Sequence, residues 1–128
     1  LDQGTTSSRC MVFDRHGHMV SISQRAHEQF FPGPGHVEHD AEQIWQTICK
    51  IMPEALAEAG IDARQIIGLG ITNQRETTVV WDRHPGRPVH LATVLQDMRT
   101  ADISAKIAGE FAPPWITPPS GLPLSNSL

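Results

Sequence analysis

Apolar residues recur at Ile44, Trp45, Ile48, Met52, Ala55, Leu56 and Ala59, the three-and-four spacing that lines one face of an α-helix. Asp40 precedes this run with Gln43 three residues on, a capping-box arrangement, and Gly60 follows it, where a left-handed residue commonly ends a helix. The pattern predicts one amphipathic helix of about five turns. Pro53 sits inside it and removes one i→i−4 bond, at a cost of roughly 3 kcal/mol in an ideal interior, so a kink or an early break is predicted there.

Shorter patterns flank the helix. Cys10 to Asp14 and His18 to Ser23 are two apolar-polar runs separated by Arg15-His16-Gly17, with glycine where a three-residue hairpin loop needs a left-handed residue. Phe31-Pro32-Gly33-Pro34-Gly35 cannot continue a ladder and is expected to be an exposed connection. Gln65 to Thr72 is an apolar run of strand length after the helix, which predicts a crossover to a buried strand. Thr77 to Asp82 is predicted to pair back with it across the Asn73 to Glu76 turn, and Val89 to Leu95 to form a further strand. Helical spacing returns at Ile103, Ile107 and Phe111, which predicts a helix over Thr100 to Glu110. Pro113, Pro114, Pro118, Pro119 and Pro123 then exclude regular structure. The expected organisation is one α/β domain over residues 1–110 and a proline-rich irregular tail over 111–128.

Composition narrows the partners. The chain has 128 residues and a net charge of −4, with Lys50 and Lys106 as its lysines, so no basic patch for nucleic acid is expected. No run of about 18 apolar residues offers a membrane span, and the first residues lack a signal-peptide pattern, which points to the cytoplasm. Cys10 and Cys49 do not make a disulfide framework or a CxxC metal pair, so reduced thiols are expected.

The opening stretch Asp2-Gln3-Gly4-Thr5-Thr6-Ser7-Ser8-Arg9 gathers a carboxylate, a glycine, hydroxyls and a guanidinium into a single turn. A nucleotide triphosphate suits that mixture: glycine lets the backbone approach, N–H groups and hydroxyls address phosphate oxygens, and a carboxylate can hold magnesium through water. The same residues could instead form a turn whose hydroxyls bond their own backbone. The chain has no GxxxxGK[ST] loop, and Gly68-Leu69-Gly70 lacks the third glycine of a dinucleotide fingerprint. His36, Glu38, His39 and Asp40 lack a second ligand pair for zinc and are expected to be a solvated loop ending in the Asp40 cap. Arg75 and Glu76 could be a surface ion pair.

Three segments in order, the opening DQGTTSSR loop, Val37-Glu38-His39-Asp40 and Ile71-Thr72-Asn73-Gln74-Arg75-Glu76-Thr77-Thr78, with a weaker echo in Val94-Leu95-Gln96-Asp97-Met98-Arg99-Thr100, resemble the FGGY carbohydrate kinases, most of all their glycerol kinase branch. The resemblance covers about Leu1 to Thr100. It implies an actin-like, ribonuclease-H-like α/β domain, incomplete here, with a mixed sheet and flanking helices, from an enzyme that transfers phosphate from ATP to glycerol to give sn-glycerol 3-phosphate. It also implies roles: Thr5, Thr6, Ser7 and Arg9 toward the nucleotide, Asp2 toward magnesium through water, and Thr5, Arg75 and Glu76 toward the polyol. A guanidinium fork supplies donors and a carboxylate supplies acceptors, so the last two can hold a vicinal diol, provided the backbone turns between them.

Family members are several times longer and carry their general base well beyond residue 128, so no catalytic base is expected in this chain and the isolated piece is expected to be inactive. They also have a short apolar run before the position of Leu1, which makes this chain look like a fragment. Leu95 stands where the family has a tryptophan, and Ser127 where it has a tyrosine. A homo-oligomer is implied for the full-length protein. Another FGGY polyol or ketose kinase, and a non-catalytic binding module, are the alternatives.

Overall fold

A computed structural model describes residues 1–111; the proline-rich tail and Ser127 lie outside the described residues. The elements run β1 (Asp2–Gln3), β2 (Ser7–Phe13), β3 (Met19–Ala26), β4 (Glu38–His39), α1 (Ala41–Ala59), a 3-10 turn (Ala63–Gln65), β5 (Thr72–Asn73), β6 (Ala92–Thr93) and α2 (Ala101–Phe111). One sheet has the order β3-β2-β1-β5, antiparallel except for the parallel β1/β5 pair, and β4 and β6 form a second small antiparallel pair. This is the mixed sheet with flanking helices of the actin-like fold.

The β2–β3 hairpin forms where predicted, with longer arms. Gly17 has φ 82° and donates to the Asp14 carbonyl at 3.0 Å, a left-handed geometry that glycine adopts without steric cost. Cys10 and Val12 alternate inward from β2 and meet Ile51 and Ala55 of α1, with Leu1, Met52, Leu56, Ala59 and Ile61 packed around them. That cluster is the core. Ser21 of β3 donates to the Ala55 carbonyl at 2.6 Å, joining helix to sheet with its own hydroxyl satisfied.

Helix α1 carries its predicted caps: Asp40 accepts from the Glu42 and Gln43 amides, and Gly60 closes the helix at φ 66°. The reciprocal half of the capping box does not form, because the Gln43 side chain instead accepts from the Glu28 amide at 3.1 Å. Pro53 does not break the helix, which runs from Ala41 to Ala59. Trp45, predicted on the packed face, is exposed, while Thr47 takes a buried position.

Two sheet expectations are corrected. The run Gln65 to Thr72 is not a buried strand: only Thr72 joins the sheet, and Ile66, Ile67, Leu69 and Ile71 are exposed. Burial of a parallel strand needs neighbours beside it and layers over both faces. The ladder reaches only as far as the Leu1 amino group on the Gly70 carbonyl, 2.8 Å, and the Thr72 amide on the Leu1 carbonyl, 3.0 Å. Residues 65–70 therefore line one side of an open groove of about 790 Å³, with Met11, Phe13 and Leu56 among the residues across it. Thr77 to Asp82 does not pair back with that run either. It pairs forward, through Thr78 with Thr93 and Trp81 with Pro88, because Asp82 accepts the Gly86 and His84 amides and reverses the chain there, with Gly86 at φ 67°.

The loop expected at residues 36–40 is likewise not solvated. Glu38 and His39 are buried in β4, and Glu38 is opposite Thr93 of β6. Helix α2 forms over Ala101–Phe111, as its spacing predicts.

Candidate functional site

Strand β1 ends in the bend Gly4-Thr5-Thr6, closed by the Gly4 amide on the Ser7 carbonyl at 3.0 Å. A Cβ on Gly4 would stand 3.1 Å from that carbonyl, so the bend requires glycine for close backbone approach. Thr6 is exposed, Thr5 is half-buried and Ser7 is buried. The Ser7 hydroxyl accepts from Gln24 Nε2 at 2.9 Å, which leaves its own proton free to donate.

Asp2 and Arg9 face one another across the β1/β2 ladder, with Arg9 Nε 3.2 Å from Asp2 Oδ2. Arg9 Nε is buried and has no hydrogen-bond partner of good geometry among the described residues, so the pair is a charge contact. Asp2 is a lone carboxylate beside a guanidinium, and no group of three or more His, Cys, Asp or Glu among the described residues could hold a metal. That donor set fits magnesium held mainly by phosphate oxygens and water, and does not fit an all-protein cage.

Beneath the bend lies a buried polar layer that sequence reasoning missed. Ser8 donates to Gln3 Oε1, Gln3 Nε2 donates to the Gly4 carbonyl at 3.1 Å, and His27 Nε2 is 3.1 Å from Gln3 Nε2. The His27 amide holds the Thr6 carbonyl at 3.0 Å. The His39 ring centroid is 6.0 Å from that of His27, and neither ring nitrogen of His39 finds a partner among the described residues. Burial pushes the pKa of both imidazoles down, and for His39 the neighbouring His27 adds to the effect.

Arg75 and Glu76 occupy an exposed turn directly after β5, and Glu76 has φ 62°. This supplies the backbone reversal that two adjacent side chains need to address one ligand. A non-glycine residue in the left-handed region carries strain, which concentrates at functional sites. Gln74 Oε1 and Thr77 Oγ1, on either side of the turn, are buried without a partner among the described residues.

Strands β1 and β5 are parallel neighbours, in register as Asp2 with Thr72 and Gln3 with Asn73. The Gly4–Thr6 bend and the Arg75–Glu76 turn therefore leave the sheet at the same edge, about one strand spacing apart at their roots. Ligands of open α/β sheets bind outside the carboxyl ends of the strands. The sequence-predicted residues Asp2, Thr5, Thr6, Arg9, Arg75 and Glu76 thus share one edge, with Ser7 at its base. The groove of about 790 Å³ on the domain contains none of them; they line an open wall.

A second missed cluster lies at the β4/β6 pair, to which Thr78 is bridged. Arg99 Nη2 donates to Glu38 Oε1 at 2.6 Å and to Asp97 Oδ2 at 2.7 Å, and Arg99 Nε donates to Asp97 Oδ1 at 2.8 Å. Glu38 and Asp97 are each 3% exposed. The Arg99 guanidinium, chiefly by these hydrogen bonds, holds the Asp97 carboxyl well below the usual carboxylate range, and the carboxylates raise Arg99 in turn. The available signal was the pairing of Glu38 in one motif with Asp97 and Arg99 in another.

Residues 1–127 match the N-terminal domain of the FGGY family of carbohydrate kinases. Relatives include glycerol kinase 2 of Streptomyces avermitilis, 50% identical over 126 residues, or 98% of this chain and 25% of that protein. Glycerol kinase of Burkholderia pseudomallei is 48% identical, again over 98% of this chain and 25% of the relative. Among solved structures, Plasmodium falciparum glycerol kinase with ADP superposes at a TM-score of 0.89 and 28% identity, over 99% of this chain and 26% of that one. Gluconate kinase from Lactobacillus acidophilus shares the fold, at a TM-score of 0.86 and 17% identity over 98% of this chain and 25% of its own. The chain spans about a quarter of the length of the curated relatives it matches.

Proposed function

The chain belongs to the FGGY family of carbohydrate kinases, and from that premise we propose that it forms one wall of the cleft in an ATP-dependent kinase that converts glycerol to sn-glycerol 3-phosphate. The observation that carries this reading is the register of Asp2 beside Thr72, which brings a phosphate-suited bend and a diol-suited turn to one sheet edge. Its glycerol kinase relatives support the choice of polyol.

Phosphoryl transfer is mostly positioning and charge neutralisation. In the proposed complex the Thr5, Thr6 and Ser7 hydroxyls and the amides of the bend bind phosphate oxygens, and the partly exposed Arg9 guanidinium addresses the diphosphate. Asp2 would hold a nucleotide-bound magnesium through water; that ion supplies further neutralisation of the phosphate charge. Arg75 donates to the polyol oxygens, Glu76 accepts from its hydroxyls, and Thr5 lies between the two ligands. The acceptor for the hydroxyl proton is assigned to residues outside this chain, so the 128-residue piece is proposed to lack activity alone. Among the described residues no helix is long and apolar enough to cross a membrane, and a cytoplasmic homo-oligomer is proposed for the full-length protein.

The test is turnover of a panel of polyols and ketoses by the full-length gene product with ATP and magnesium. Glycerol is expected to give the highest kcat/KM, and Arg75→Ala to raise its KM by about 100-fold for loss of a charged hydrogen-bond donor. A pentulose preferred over glycerol would reassign the substrate within the family. No turnover of any acceptor would point to a binding module.

A further inference from the structure

We propose that Arg99 is a positioning residue for the Arg75–Glu76 turn, acting through Glu38 and the β4–β6 pair. This rests on the reading of that turn as the holder of the substrate.

The linkage is continuous. Arg99 spans Glu38 and Asp97 with three charge-assisted hydrogen bonds of 2.6 to 2.8 Å. Glu38 lies opposite Thr93 in the β4/β6 ladder. Thr93 accepts from the Thr78 amide at 3.0 Å, and Thr78 is two residues beyond Glu76. The turn thus hangs from β6, and β6 is fixed to β4 by the Arg99 clamp.

The clamp has further ties. Asp97 Oδ2 accepts from the Val37 amide at 2.8 Å, and the Met98 amide donates to the Gly35 carbonyl at 2.7 Å. Gly35 has φ 74°, and a Cβ there would touch Met98 Cβ at 3.4 Å, so the two loops are in close backbone approach. Two carboxylates that are each 3% exposed are costly to bury unless paired, so each depends on the guanidinium between them.

Among the described residues, none of these hydrogen bonds reaches the Arg75 or Glu76 side chain. Its effect on the substrate is therefore geometric: displacement of the turn by about 1 Å can cost up to two orders of magnitude when alignment matters. Lysine keeps the charge of arginine and loses the fork, so it cannot reproduce bidentate contact with Asp97 while also reaching Glu38.

The test uses Arg99→Lys and Glu38→Gln in the full-length gene product, with the acceptor that the wild type turns over best. The expected result is a rise of about 10-fold or more in acceptor KM, with ATP KM unchanged within about twofold because the Gly4–Thr6 bend is held by separate hydrogen bonds. Hydrogen exchange at the Thr78 amide is expected to accelerate, with the β2–β3 ladder unaffected. Parallel increases in both KM values, or a lowered melting temperature with unchanged KM values and unchanged Thr78 exchange, would overturn the proposal. Should the wild type phosphorylate no acceptor, the kinase reading fails, and Thr78 exchange still decides whether the clamp holds the turn.

Discussion

Asp2 stands in register beside Thr72 on the neighbouring parallel strand, and the two chain segments that follow them emerge side by side. One carries hydroxyls, a tight glycine and a nearby guanidinium; the other carries an arginine and a glutamate in a left-handed turn. Their separation in sequence is large, and the crossover through α1 is what closes it. A parallel pair requires such a connection, so helix α1 both supplies the core and sets the spacing of the site.

Glu76 is the one described non-glycine residue with positive φ, at 62°. Glycine removes the steric penalty of that conformation, while a β-branched residue increases it. We expect Glu76→Gly to leave stability unchanged or raise it by up to about 1 kcal/mol. Glu76→Val should lower it, and both variants should lose polyol affinity. Urea midpoints of the three proteins test the order, and a wild type more stable than the glycine variant by about 1 kcal/mol would show that the turn is unstrained.

Gly4 is limited by space, since a methyl group there would meet the Ser7 carbonyl at 3.1 Å. Gly4→Ala should shift the Gly4–Thr6 bend and weaken nucleotide binding in the full-length protein, with ATP KM rising by about 10-fold. Acceptor KM should change less, because the Arg75–Glu76 turn hangs from β6. Equal effects on both would show that the two loops move as one body.

How far the sequence revealed this arrangement depended on how local each signal was. The caps of α1 at Asp40 and Gly60, the hairpin turn at Gly17 and the bend after β1 are set by residues within a few positions, and all were legible. Glu38 and His39 were misread because charged and polar residues between a proline-glycine segment and a helix cap ordinarily face water. Glu38 is buried in the β4/β6 ladder with its charge met by Arg99, 61 residues away. Gln65 to Thr72 misled in the opposite sense: its apolar residues signal burial, and their exposure follows because, among the described residues, no strand lies beside 65–71.

Ile51 is fully buried at the centre of the small core formed with Cys10, Val12 and Ala55. Ile51→Ala should cost about 2–5 kcal/mol, a large share of the stability of any domain of this size. Loss of the cooperative denaturant transition in this variant is expected. A midpoint near that of the wild type would show that α1 is not anchored through this residue.

The buried imidazoles give the domain a pH dependence whose sign follows from their direction of shift. His27 and His39 both titrate below their ordinary value of 6.5. The unfolded chain therefore binds more protons than the folded one between the folded pKa values and about 6.5, so stability is lost as the pH falls through that window. Above it the full contribution is present; below the folded values the loss levels off. The urea midpoint should drop between about pH 7.5 and pH 5, in step with the fraction of unfolded histidine that is protonated. His39→Leu removes one of the two groups and the repulsion between them, so its profile should be flatter. An unchanged slope in that variant would show that His39 does not carry the pH dependence.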